Sequence, residues 1–278
     1  MLNDLKLGIY QNLSNDNYHG DCAVGSSTLK IVASKTPAHA INRDKSSSPV
    51  FDYGAAFHIA VLEPEKLEAG VTRGPDDRRG NKWKDALAAA AEIKSLLLTA
   101  DEYDTLLSAR DAMQKNPDVA ELLAGDTVRE ESVFWIDGET GIKCKARPDL
   151  INRTKHLMVD LKTTQSAAAF DFAKSVVAYG YHLQEAMYRD GYRHYGQMMD
   201  DFIFIAVEKT PPFASAVYRL CGHAKNEGYA IYRKALSIYA DCKKKNAFHG
   251  YPQGIIELDL PAYGFRETDP NEIPVLPD

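Results

Sequence analysis

The sequence has no apolar run near the roughly 20 residues that a bilayer-spanning helix needs, so no membrane segment is expected. It has four cysteines, Cys22, Cys144, Cys221 and Cys242, far apart and without a C-x-x-C pair. A thiolate zinc site or an iron–sulfur cluster is therefore not expected, and the thiols read as reduced residues of a cytoplasmic protein. The N-terminal stretch lacks a basic segment followed by an apolar one, so no secretory leader is expected. A Walker-type phosphate loop, an H-E-x-x-H helix, a G-x-S-x-G elbow and a deaminase H-x-E with P-C-x-x-C are all missing. Use of ATP is accordingly not expected. Positive charge is not in excess either. Lys and Arg number 33 against 39 Asp and Glu, a net charge of −6, which argues against a chain that coats nucleic acid. Any contact with nucleic acid has to be concentrated in one place.

The 278 residues are 45% hydrophobic and 26% charged, enough for a sizeable core. No internal repeat or low-complexity linker divides them. The early part reads as helical: a short helix near Ser26–Ala33 with Ser26 or Ser27 as cap, a loop at Ser46–Pro49, and a helix from Asp52 to Leu62 ended by Glu63-Pro64. The basic, Gly-containing stretch Arg73–Lys84 reads as a loop, and two or three helices follow to Leu123. From Thr127 the texture changes. Thr127–Ile136 and Ile142–Ala146 flank Asp137-Gly138-Glu139-Thr140-Gly141 as a hairpin, and strands are expected at Asp149–Asn152 and His156–Lys162. A long amphipathic helix, divided near Gly180, spans Phe170–Tyr195. Strands at Asp201–Glu208 and Ala214–Leu220 and a helix at Lys225–Lys245 complete the pattern. The expectation is one α/β (α+β) domain over 1–278, a mixed β-sheet flanked by helices. Its helical N-terminal part covers about 1–125 and its catalytic sheet core about 126–250.

Two acids and a lysine stand out. Asp149 and Asp160 are separated by a turn at Arg153-Thr154-Lys155, so a strand–turn–strand unit brings their carboxylates together. Asp160 and Lys162 point to one face of an otherwise apolar strand. The plain reading is a local ion pair at a strand end. The functional reading is a hard-cation site, in which the carboxylates and the Leu161 carbonyl hold Mg2+ and Lys162 assists the attacking water.

Pro148-Asp149 followed by Asp160-Leu161-Lys162 resembles the PD-(D/E)XK nuclease signature. Gln184-Glu185-Ala186-Met187-Tyr188 resembles the Q-x-x-x-Y motif of the RecB-like branch, and Phe51–His58 with Leu62-Glu63-Pro64 resembles exonuclease VIII, the RecE-type enzymes. The resemblance runs from about Tyr18 to Ala247. It implies a restriction-endonuclease-like fold and a Mg2+-dependent deoxyribonuclease that Mn2+ also supports. Asp149, Asp160 and Lys162 would be catalytic. His58, Asp149, Asp160 and the Leu161 carbonyl would be metal ligands, and Gln184 and Tyr188 substrate-binding residues. It further implies 5′-to-3′ digestion of double-stranded DNA ends to leave 3′ overhangs, a toroidal homo-oligomer such as a tetramer, and a single-strand annealing partner in recombination.

Other residues are weighed beside these. Arg78, Arg79 and Lys82 are either a solvated loop or a DNA contact. Glu130 and Glu131 read as surface charges, with Glu131 the one retained as a candidate near the metal. Tyr179, Tyr181, Tyr192 and Tyr195 crowd one region as packing, as a subunit contact, or as a stacking surface for a frayed base. Two competing functions stay open: a non-catalytic DNA-binding or scaffold module of the same fold, and a single-strand-trimming nuclease of the superfamily. The latter usually carries an iron–sulfur cluster, which the scattered cysteines disfavour.

Overall fold

The structure is a computed structural model that describes residues 4–42 and 53–261. It opens with β1 (Gly8–Tyr10) and the helices α1 (Asn15–Gly20), α2 (Ser26–Ser34), α3 (Pro37–Ile41), α4 (Tyr53–Leu62) and α5 (Leu67–Gly70). β2 (Val71–Arg73), α6 (Gly80–Glu92), β3 (Leu96–Leu98), α7 (Ala100–Gln114) and α8 (Pro117–Leu123) follow. The second half contains β4 (Thr127–Arg129), β5 (Ser132–Ile136), β6 (Lys143–Ala146), β7 (Leu150–Asn152) and β8 (Leu157–Thr164). It ends with α9 (Ala169–Ala178), α10 (Tyr181–Arg193), β9 (Asp201–Glu208), β10 (Ser215–Arg219) and α11 (Gly222–Lys245).

The central sheet has the order β10-β9-β8-β7-β4; β8 and β9 run parallel and the other pairs antiparallel. A three-stranded sheet, β1-β5-β6, lies beside it, and β2 and β3 form a small parallel pair. Alternation along β8 and β9 sorts the core into two layers. Met158, Phe202, Phe204 and Ala206 join one apolar cluster with residues of α2, α9, α10 and α11. Val159, Leu161, Ile203, Ile205 and Val207 join another with residues of α4, α7 and α8. Helices therefore cover both faces, which is why these two strands carry near-continuous apolar runs. This is the expected restriction-endonuclease-like mixed sheet with flanking helices.

Several boundaries differ from the sequence reading. Thr127–Ile136 is not one strand. The chain kinks at Glu130, where φ is +52°, so that β4 pairs with β7 in the central sheet and β5 pairs with β6 in the other. Leu96–Leu98, expected as helix, is a buried strand, because pairing with Val71–Arg73 satisfies its backbone. Ser26 is the first residue of α2, and Gly25 occupies the N-cap position without a side-chain cap. Gly80 to Lys84 begin α6 rather than prolong the loop. The break of the long helix falls at Gly180 as expected, with φ of +61°. Phe51, Asp52 and the Ser46–Pro49 loop lie outside the described residues.

Helices α10 and α11 are in close contact at Gly228. A Cβ built there would lie 2.3 Å from the backbone carbonyl oxygen of His182, an atom that cannot rotate away. Gly228→Ala must therefore push the helices apart, and we expect it to cost about 2–3 kcal/mol in urea unfolding despite the gain in helix propensity.

Candidate active site

Strand β8 carries the acid and the lysine. Asp160 and Lys162 project from the sheet face that α10 covers, one register step apart, and Asp160 is only 1% exposed. Burying that carboxylate is tolerated because both oxygens are engaged. Gln184 Nε2 donates to Asp160 Oδ1 at 2.6 Å, and the Lys162 ammonium pairs with Oδ2. Gln184 is oriented in turn by Lys30 on α2, whose Nζ donates to Gln184 Oε1 at 2.7 Å. Both ammonium groups sit over the Tyr181 ring, Lys162 at 4.9 Å and Lys30 at 5.1 Å from its centroid. Their protonation diverges. Burial works against the charge on Lys162, but the carboxylates of Asp160 and Asp149 outweigh it and hold that ammonium above the ordinary lysine range. Burial and the Lys162 charge lower Lys30 to about 8, with Asp160 offsetting them in part.

Asp149 stands just before β7, on the neighbouring strand. Its Oδ2 accepts from the backbone N–H of Leu161 at 2.6 Å, a cross-strand bond that fixes the carboxylate beside β8. His58 arrives from α4 on the opposite face of the sheet. Its Nε2 lies 2.8 Å from the Leu161 carbonyl oxygen, which can only accept, so the proton resides on Nε2. Its Nδ1 faces Asp149 Oδ1, 3.6 Å away.

The third member of this group is Glu130, placed by the kink between β4 and β5. His58, Glu130 and Asp149 each offer one ligand atom, all within 4.8 Å of one another. Two carboxylates and an imidazole form a donor set suited to Mg2+ or Mn2+. The electrostatics agree with a cation there. Burial, then the negative charge of Asp149, pushes Glu130 up to about 7. Burial also raises Asp149; His58 opposes the shift and Asp160 adds to it. Glu130 and Asp149 lie close together in a largely buried place, where a neighbouring carboxylate raises the cost of ionising each of them. The residues present thus fit a divalent cation. Arg147 steadies Glu130 from behind: its guanidinium lies 3.7 Å from Glu130 Oε2, bonds to Ser132 Oγ and Asn15 Oδ1, and covers the Tyr18 ring.

Not every sequence candidate falls at this point. Glu131 is buried at 1% exposure and accepts from Arg153 at 2.8 Å and Gln11 at 3.2 Å, away from the metal-ligand group. Both acids read as surface charges in the sequence; Glu131 is instead buried in an ion pair, and the kink turns Glu130 toward His58 and Asp149. The Leu161 carbonyl is taken up by His58. Tyr188 shares a face of α10 with Gln184, but its ring packs in the core 6.3 Å from Phe202 and its hydroxyl bonds with Ser26. Arg78 pairs with Glu102 at 2.6 Å and lies 5.7 Å from the Trp83 ring, while Arg79 and Lys82 are exposed along a cleft at the start of α6. Lys30 went unnoticed in the sequence because nothing in α2 marks it. Only the packing of α2 against α10 brings it to Gln184.

A mixed sheet that brings two acids together, with a lysine two residues beyond the second and a group of donors that a divalent cation fits, defines a restriction-endonuclease-like protein. Residues 25–255 match the family described as PDDEXK-like domain of unknown function, DUF3799, and the chain belongs to that family. Among solved structures it is similar to a "putative exonuclease" from Eubacterium rectale, with a TM-score of 0.58 and 14% identity over 88% of this chain and 97% of that one. It also matches a phage-related exonuclease from Haemophilus somnus 129PT, with a TM-score of 0.35 and 13% identity over 81% of this chain and 96% of that one. No curated protein matches. The PD-(D/E)XK reading of the sequence is thereby borne out, and membership in this family supports a nuclease that uses a divalent metal. Among the described residues no helix is long and apolar enough to cross a membrane.

Proposed function

We propose that this chain is a Mg2+-dependent exonuclease of double-stranded DNA ends, releasing 5′-phosphorylated nucleotides. The observation that carries the reading is the His58, Glu130 and Asp149 donor group lying next to the Asp160–Lys162 pair. A divalent cation held by those donors supplies Lewis acidity to the scissile phosphate and a more acidic water. Lys162 places its ammonium where charge builds on phosphorus and where the attacking water must be oriented. Asp160 holds Lys162 in that position and Gln184 fixes the Asp160 rotamer, so both Asp160 oxygens are taken up and it stands beside the three donors rather than among them. His58 comes from the helical part and Asp149, Asp160 and Lys162 from the sheet, which supports reading the chain as one catalytic domain.

The finer features rest on the RecE-type resemblance: 5′-to-3′ polarity, a 3′ overhang, a toroidal assembly, an annealing partner and a role in recombination. Exposed Arg79 and Lys82 suit an incoming DNA backbone. The test is digestion of linear duplexes labelled at either 5′ or 3′ end, with a circular duplex alongside, in Mg2+, in Mn2+ and in EDTA. We expect loss of the 5′ label as mononucleotide, an intact circle, and no reaction in EDTA. Nicking of the circle would show an endonuclease instead. Inertness of every substrate with both metals would favour the non-catalytic DNA-binding module.

A further inference from the structure

Three aromatic rings run outward from the core beside the Asp160–Lys162 pair. Phe204 on β9 is fully buried, Tyr181 stacks on it at 5.9 Å and 28°, and Tyr179 stacks on Tyr181 at 5.7 Å and 30°. The ladder ends at the surface, where Tyr179 is 61% exposed. Tyr179 does not owe this position to helix packing. It is the C-cap of α9, turned outward where the chain reverses at Gly180. Tyr181 is also the ring that carries the Lys162 ammonium, so the ladder and the proposed catalytic lysine share a side chain.

A cleft of about 410 Å³ opens where this ladder emerges. It lies past the end of β8, and Tyr179 and Tyr181 both line it. The remaining lining is rich in hydroxyls, from Thr164, Ser166 and Ser175, with Lys209 as its cation. Asp171 also lines the cleft, bonded to Ser166 Oγ at 3.0 Å and to Lys174 Nζ at 3.1 Å. Hydroxyls, an amide and a lysine-paired carboxylate beside an exposed ring suit a nucleoside. The ring offers a stacking face, and the polar atoms match exocyclic amines and sugar oxygens. The volume falls within the range of small-molecule sites, about 300–1,000 Å³.

We propose that this cleft is a nucleoside subsite. It takes the unpaired nucleotide next to the scissile phosphate, with its base stacked on Tyr179 as the next rung of the ladder. This rests on the nuclease reading and adds to it that the nucleotide is bound unpaired, its base inside the cleft and its partner base outside it. The phosphate of that nucleotide lies toward Lys162, and the base lies away from the cation.

Binding of single-strand-tailed oligonucleotides in EDTA, where cleavage is blocked, isolates this subsite from the chemistry. Each of the first three nucleotides at either end is replaced in turn by an abasic residue, and affinity is read for wild type, Tyr179→Ala, Tyr179→Phe and Ser175→Leu. We expect Tyr179→Ala to weaken binding of the normal strand about tenfold, with Tyr179→Phe near wild type. At one position the abasic residue should abolish the difference between wild type and Tyr179→Ala. Ser175→Leu, which narrows the cleft from its other wall without touching the ring, should reproduce that position dependence. If Tyr179→Ala loses nothing, or loses equally on normal and abasic strands at every position, the subsite is wrong. Digestion of the normal strand by wild type in Mg2+, run in parallel, separates the two claims. Digestion without a position-dependent loss sinks the subsite alone, and a position-dependent loss without digestion sinks the nuclease reading alone.

Discussion

Lys162→Ala is expected to lower the digestion rate by at least about 10²–10³-fold at saturating DNA, with a much smaller change in DNA affinity. Among the described residues its ammonium is the side-chain cation paired with Asp160, and it also feels the charge of Asp149, a member of the donor group. A charge placed to meet developing negative charge acts mainly in the transition state, so the loss should appear in kcat rather than KM. The same substitution leaves Asp160 buried beside Gln184 without its counter-ion. Removing one partner of a buried pair costs about 3–5 kcal/mol in general, and the partial exposure of Lys162 puts the cost here toward or below the lower end. Urea unfolding should show this loss. The double variant Asp160→Asn, Lys162→Met should regain much of the stability and none of the activity. An active Lys162→Ala enzyme would remove the lysine from the mechanism.

Glu130→Gln should move stability and metal binding in opposite directions. In the metal-free protein Glu130 is held near 7 by burial and by Asp149, above its ordinary value of 4.5. The folded state therefore binds more protons than the unfolded chain between those two values, and stability falls as pH rises through that window. The glutamine cannot ionise, so the variant should be more stable than wild type above pH 7, with the advantage vanishing below 4.5. Allowing for partial solvent exposure, the gain is about 1–2 kcal/mol. Affinity for Mn2+ should fall instead, because a carboxylate ligand is lost. In wild type the cation must displace protons from Glu130, so affinity should tighten and proton release should decline as pH rises from 6 to 8. Calorimetry in buffers of different ionisation enthalpy measures both. Unchanged Mn2+ affinity in Glu130→Gln would exclude Glu130 as a ligand.

How much of this was legible in the sequence depends on whether the interactions involved are local. Asp160 and Lys162 share a strand, so the two-residue period alone puts them on one face, and the apolar runs of β8 and β9 announce their burial on both sides. The hairpin of β5 and β6, the break at Gly180 and the covering helices follow from turn chemistry and periodicity in the same way. Those features were determined by the order of residues. The tertiary structure decided the remainder. Whether Glu130 or Glu131 lies beside His58 and Asp149 turns on a single positive φ, imposed when β4 and β5 join different sheets. Lys30 reaches Gln184 across 154 residues, and His58 reaches the Leu161 carbonyl across 103. The outward ladder of Phe204, Tyr181 and Tyr179 exists only because a strand and a helix junction distant in sequence stack their rings. Local periodicity can state which way a side chain points from its own element, but which elements meet depends on how two apolar layers close over a sheet.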